Sequence, residues 1–333
     1  MKPQPGSQRG AALLLAMMIV ALITTVAAGM IWLQTRAVHV EAAERARAQA
    51  GWILSGALDW ARLILREDQR TGLRRGTNVD SLDEPWATPL AEARLSTFLA
   101  ADKENNTEGG PDAFISGAIV DAQSRYNLRN LLDATGKPVP AQVAALQKLA
   151  DLAGAPTDTA TRIAAVLSEA MLPPGTKASE PGAGPAGDVG SLGTPLKPRQ
   201  VSDLAWLGIE APTLARLAPW VELLPVATPV NANTAPREVL LTAIDGIDLG
   251  TAERLVQTRQ RDPFQSLEEV QRLLAEPMKA DATRLSVASN WFLVSGRLRL
   301  DERVLEERSL LQRDGDKVTV RRRERASFTV PLQ

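Results

Sequence analysis

Residues 10–33 read GAALLLAMMIVALITTVAAGMIWL, and the 23 residues from Ala11 to Leu33 carry no charge and nothing more polar than Thr24 and Thr25. At 1.5 Å per residue a helix of that length covers roughly 34 Å, enough for a hydrocarbon core of about 30 Å. It also exceeds the ~7–15 apolar residues of a secretory signal peptide, so it reads as a retained membrane helix. The preceding MKPQPGSQRG is short, polar and basic through Lys2 and Arg9. Arg36, Arg45 and Arg47 follow the apolar stretch, so positive charge alone does not orient the span.

Outward from this stretch, helical patterning continues past the apolar boundary. Ala43, Ala46, Ala50, Ile53, Ala57, Trp60 and Ile64 recur in steps of three and four and predict one apolar stripe. Residues 11–84 contain no proline. Membrane helix and stalk are therefore expected to form one rod ending near Gln69, before Thr71-Gly72, about 90 Å in length.

Composition excludes most chemistry. Among 333 residues there are 38 Lys+Arg against 39 Asp+Glu, no cysteine and a single histidine, His39. Disulfides, thiol nucleophiles and Cys/His zinc sites are absent, and a histidine triad has only His39 to build on. His39, between Val38 and Val40, has no Ser/Asp partner pattern nearby and reads as a plain exposed or interface residue. No enzymatic constellation is present, and no small-molecule substrate is expected.

Residues 77–112 read as loop-rich, with DEPWATPL and the polar run DKENNTEGGPD. Phe114–Val120 predicts a strand, followed by DAQSRYNLRNLL. Residues 139–172 are helical by pattern. Pro173–Pro198 holds six prolines and six glycines and reads as a flexible loop. Helical patterning resumes over Val201–Leu224. In Asn231–Leu274, Thr234 is a plausible N-cap with Pro236 in the first turn; a helix carrying Val239, Leu240 and Ile244 turns at Gly246 into a second with Ala252, Leu255 and Val256. Near the C-terminus, Asn290–Leu300, Arg303–Gln312 and Lys317–Arg325 read as strands, the last two joined at Asp314-Gly315 in a hairpin. The run Arg321-Arg322-Arg323 splits between strand faces and reads as a solvated, protective edge.

The basic leader, Gly10, the apolar stretch and the amphipathic continuation resemble a type IV pilin-like signal. The resemblance implies that a prepilin peptidase cuts between Gly10 and Ala11 and methylates the new amino terminus of Ala11. Most such proteins carry Phe or Met at the first mature position and Glu at the fifth; here these are Ala11 and Leu15. The usual glutamate is thought to neutralise the terminal ammonium of the next subunit in the fibre. A subunit with Leu15 instead suits the tip, where that contact is not needed. Together with residues 121–132 and 231–274, these features resemble the minor pseudopilin K family of type II secretion.

That resemblance implies a noncatalytic tip subunit that initiates pseudopilus assembly for export of folded proteins across the outer membrane. It implies the minor pseudopilins I and J, other secretion components and prepilin peptidase as partners. It also implies a single-pass inner-membrane protein with a cytoplasmic N-terminus and a periplasmic head. Ala43, Ala46, Ala50 and Ala57 are the candidate partner-binding face, because small residues at helical spacing allow helices to approach closely. The alternative reading, a DNA-binding helix-hairpin-helix protein of a competence or type IV pilus system, rests on residues 231–274. That segment holds five arginines against seven acids, and an acidic hairpin repels phosphate, so no nucleic acid is expected.

The expected fold is α+β: a long N-terminal transmembrane and stalk helix packed on a small antiparallel sheet, with a large inserted all-α domain. The expected division is a leader at 1–10, a transmembrane helix at 11–33, a stalk at 34–70, a head from 71–120 and 290–333, and an insertion at 121–289. No cofactor is required. Asp102, Glu104, Glu108 and Asp112 offer hard oxygen ligands and form a candidate calcium site, although their spacing is not that of an EF-hand. Some members of the family bind calcium in the helical domain, but the equivalent stretch here has only Glu169, Glu180 and Asp188.

Overall fold

The computed structural model describes residues 9–95, 113–171, 196–300 and 303–329. The chain divides into two compact units, 1–56 and 57–333. Helix α1 spans Arg9–Arg75, and residues 12–75 of it are long and apolar enough to cross a membrane.

The helix does not stop at Thr71-Gly72. It continues to Arg75 and ends at Gly76, whose φ of 72° places it in the left-handed region. Gly76 N–H donates to Leu73 O at 3.1 Å and Thr77 N–H to Gly72 O at 3.0 Å, the paired bonds of a Schellman cap. Gly72 lies inside the last turn because a Cβ there would meet Thr77 O at 2.9 Å. The glycine that reads as a breaker is thus the residue the cap closes over.

The apolar stripe differs from the predicted one. In the first unit Ala50 and Leu54 are buried, and in the second Leu58, Ala61 and Leu65. Trp60 is 52% exposed and is not part of the stripe. Leucines at 54, 58 and 65 sit one position on from Ile53, Ala57 and Ile64 of the predicted series, and these leucines, with Ala50 and Ala61, are the buried residues.

The second unit contains a five-stranded antiparallel sheet of β1 (Leu90–Arg94), β2 (Ala113–Asp121), β7 (Trp291–Leu300), β8 (Arg303–Asp314) and β9 (Lys317–Thr329), in the order β1-β2-β7-β8-β9. β1 falls in a segment that reads as loop. LAEAR lacks β-branched residues, and only pairing with β2 makes it a strand. Leu58, Ala61 and Leu65 pack with Trp86, Phe292, Val294, Leu311 and Val318. Trp86 meets Phe292 edge to face at 5.3 Å between centroids. Burial of each such large side chain contributes about 1.5–3 kcal/mol.

Between Asp121 and Trp291 the chain builds a separate helical core. Its helices are α2 (Pro140–Leu152), α3 (Thr159–Met171), α4 (Ala211–Leu217), α5 (Arg237–Ala243), α6 (Leu249–Arg259) and α7 (Leu267–Gln271). Two short parallel pairs tie it together: β3 (Tyr126–Asn127) with β4 (Val221–Glu222), and β5 (Val230–Asn231) with β6 (Leu285–Ser286). The predicted continuous helicity over 201–224 resolves into a 3-10 helix, Val201–Leu207, then α4 and β4, because Gly208 adopts φ 88° and Pro212 opens a new helix. Pro236, not Thr234, is the N-cap of α5.

Candidate functional site

Where the helical insertion leaves and rejoins the sheet, its two crossings meet in a buried polar junction. Asp121 ends β2 and caps the 3-10 turn Ala122–Ser124, its carboxylate accepting from Gln123 N–H at 2.7 Å. Its other oxygen accepts from Thr234 Oγ1 at 2.5 Å, Ser289 Oγ at 2.6 Å and Asn231 Nδ2 at 3.0 Å. Thr234 is drawn from its predicted capping role by this bond. Burial pushes the Asp121 carboxyl up to about 6, against the opposing hydrogen bonds from Ser289 and Thr234.

Arg313 organises the adjoining charges. Its Nη2 donates to both oxygens of Asp80 at 2.5 and 2.6 Å and to Ser289 O at 2.8 Å, while Nη1 donates to Asp68 at 3.0 Å. The guanidinium also lies 4.8 Å from the Phe292 ring centroid. Asp80 returns a contact to the insertion by accepting from Ser289 N–H at 2.8 Å. Burial, then the nearby Asp68 charge, pushes Glu84 up to about 7, although Trp86 Nε1 donates to it at 2.5 Å. Burial likewise raises Asp68. Asp68, Asp80 and Glu84 bring carboxylate oxygens within 4.8 Å of one another, a geometry with room for a cation. Arg313 already supplies positive charge there. The junction ties both ends of the helical insertion to the sheet and to the segment after α1.

The junction is absent from the predicted site residues. Its one sequence signal is Asp121 at the end of an apolar strand; Asp80, Ser289 and Arg313 lie too far apart in the chain to be grouped by pattern.

Of the predicted residues, Gly10 and Ala11 lie in the first turns of α1. Leu15 is exposed, Ala43, Ala46 and Ala57 are half-buried, and Ala50 is buried. Asp102, Glu104, Glu108 and Asp112, and Glu180 and Asp188, lie outside the described residues, as does 173–195 of the proline-rich loop. Glu169 is exposed on α3, and His39 is exposed on α1.

The hairpin between α5 and α6 bears on nucleic-acid binding. Asp248 caps α6, accepting from Thr251 N–H at 2.7 Å. That bond, foremost, holds its carboxyl below the usual range. The amide end that a phosphate would approach is occupied by the chain's own carboxylate. The arginine run on β9 is also spent internally. Arg323 and Arg325 converge on buried Glu307 at 3.2 and 2.6 Å, and Arg321 donates to Gln312 at 2.8 Å. Arg322, on the other face, donates to Arg199 O and reaches Glu222 in the insertion.

The insertion matches the family models described as Type II secretion system (T2SS), protein K, over residues 124–226 and 230–288. The chain is 30% identical over 344 residues to the type II secretion system protein K of Pectobacterium carotovorum subsp. carotovorum, covering 96% of this chain and 97% of that one. It is 29% identical over 335 residues to the Pseudomonas aeruginosa protein of the same name, covering 98% and 95%. The fold is similar to a chain in the crystal structure of the GspK-GspI-GspJ complex from the enterotoxigenic Escherichia coli type 2 secretion system. There the TM-score is 0.56 at 21% identity, over 85% of this chain and 98% of that one. With an apolar N-terminal helix, then a sheet interrupted by a helical insertion, and relatives matched over nearly their whole length, the chain belongs to the type II secretion system protein K family, that of the minor pseudopilin K.

Proposed function

We propose that this minor pseudopilin occupies the tip of the pseudopilus and initiates its assembly with the minor pseudopilins I and J, serving export of folded proteins across the outer membrane. The observation that carries the tip assignment is Leu15, an apolar residue at the position where shaft subunits carry the glutamate that meets a neighbour's ammonium. The solved relative crystallised with GspI and GspJ supports the choice of partners. In this reading prepilin peptidase cleaves after Gly10 and methylates Ala11, and residues 11–33 anchor the chain once in the inner membrane. The N-terminus is cytoplasmic and the head periplasmic. Residues 34–70 form the stalk, 71–120 and 290–333 the head, and 121–289 the insertion. Ala43, Ala46, Ala50 and Ala57 contribute to contacts between neighbouring helices. Asp102, Glu104, Glu108 and Asp112 are its calcium ligands, if the head takes a metal; no step of assembly requires a cofactor.

The test is isolation of the chain from native membranes. Mass spectrometry should find N-methyl-Ala11 at the amino terminus, together with pseudopilins I and J in the same complex. Gly10→Val should leave the full-length precursor. A mature protein beginning near Gly29 would show that a conventional signal peptidase acts, and the pilin-like reading would fail.

A further inference from the structure

A groove of about 510 Å³ runs in the second unit between α1 and the β8–β9 turn, lined by Asp59, Arg62, Leu63, Arg66, Lys317 and Thr319 among others. The four α1 residues are spaced i, i+3, i+4, i+7 and so share one helix face. Most of the charge around the groove is already paired. Arg62 donates to Val318 O at 3.0 Å and to Asp59 at 2.8 Å, and Arg70 holds Asp316 through two bonds at 3.0 and 3.1 Å. Arg66 and Lys317 make no ion pair among the described residues, and Arg66 Nε is buried with no acceptor. Solvent does not reach that Nε, so an incoming carboxylate meets the remaining part of the half-buried Arg66 guanidinium, whose planar N–H groups suit it. Beside it Leu63 is 48% exposed.

We infer that this groove receives a carboxylate-bearing, apolar-flanked segment of another pseudopilus subunit. The carboxylate pairs with the Arg66 guanidinium near Lys317, and the flanking apolar side chain covers Leu63. Naming a pseudopilus subunit rests on the proposed function; the carboxylate chemistry rests on the groove. Asp59 and Asp316 at the edges of the groove disfavour a polyanion; Arg66, whose charge also bears on Asp316, and Lys317, neither ion-paired among the described residues, suit a single carboxylate.

The test is photocrosslinking of the full-length chain in its native membrane, with a photoreactive phenylalanine derivative replacing Leu63 and, in a parallel strain, replacing Met18 in the apolar stretch. The expected result is an adduct of the Leu63 probe with another pseudopilin. Arg66→Glu combined with Lys317→Glu should cut its yield tenfold or more, and Arg66→Lys, which keeps the charge and loses the fork, about threefold. Thermal melting of each variant separates lost docking from lost folding. Should the charge-reversed chain melt early, Arg66→Lys alone must still lower the yield. Pseudopilin adducts from Met18 but none from Leu63 would overturn the groove assignment and leave the proposed function standing. Pseudopilin adducts from neither position would overturn both. Adducts of Leu63 only with lipid or an exported protein, or a yield indifferent to charge reversal, would also overturn the groove assignment.

Discussion

Asp121 accepts a hydrogen bond from Ser289 Oγ at 2.6 Å although 168 positions separate the two residues. Asp121 stands where the helical insertion departs from β2, and Ser289 just before it re-enters at β7, so one bond closes the whole insertion at its base. Asn231 and Thr234, from within the insertion, donate to the same carboxylate.

Asp121→Ala is therefore expected to cost more than its size suggests, because several buried donors lose their acceptor together. Each stranded donor costs about 1–3 kcal/mol, with partial relaxation between neighbours. A loss of about 3 kcal/mol is expected in urea unfolding of the detergent-solubilised chain. Asp121→Asn should fall between, since its amide retains one acceptor oxygen but turns a donor toward the others. A loss below about 1 kcal/mol for Asp121→Ala would mean that the junction does not hold the insertion to the sheet.

The same group sets a pH dependence. Asp121 and Glu84 have folded values raised to about 6 and about 7, above the 3.8 and 4.5 of the ordinary free side chains. Raised carboxyls make the folded state bind more protons than the unfolded one, so through these groups stability falls as pH rises from the unfolded to the folded value and is flat above it. Acidification from pH 7.5 to 5.5 should stabilise the head, Asp121 contributing about 1 kcal/mol. Asp133, Asp248, Asp281 and Asp316, whose values are lowered, titrate below this window. Melting temperature measured across the window should rise in the wild type and lose most of its slope in Asp121→Asn with Glu84→Gln.

At the end of α1, helix propensity and cap geometry make opposite predictions. Propensity alone would have Gly72→Ala stabilise by about 1 kcal/mol. The Cβ at 2.9 Å from Thr77 O instead forces the Schellman bond apart, so the substitution should destabilise. Gly76→Ala meets nothing within 4 Å, and its cost of about 1–2 kcal/mol comes only from φ 72°. Equilibrium unfolding of both variants decides between the two accounts; stabilisation by Gly72→Ala would refute the cap geometry.

Leu15→Glu restores the carboxylate of shaft subunits. Unpaired in a membrane helix it costs about 2.5–3.5 kcal/mol by insertion scales. At the proposed tip position no neighbour's ammonium meets it, so secretion of exported proteins should fall and the chain should gain no place along the shaft. Immunogold labelling along the length of the pseudopilus would be the contrary result.

The sequence by itself determined what depends on near neighbours in the chain. The uncharged run from Ala11 to Leu33 is sufficient for a helix long enough to span, Asp314-Gly315 for the β8–β9 turn, and the acids flanking Gly246 for the negative charge of that hairpin. Each is a local property, because helix rise, turn conformation and short-range charge involve residues a few positions apart. Tertiary structure decided what local pattern left degenerate. Residues 43–65 contain two overlapping apolar series, and only packing against Phe292, Val294 and Leu311 selects the face with Leu58 and Leu65. Thr234 suits a helix cap equally well until Asp121 comes within 2.5 Å of it. Arg313 looks like any strand-edge arginine until Asp68, Asp80 and Ser289 surround it. A polar residue's role depends on which partners compensate its desolvation, and those partners are fixed only when distant segments meet.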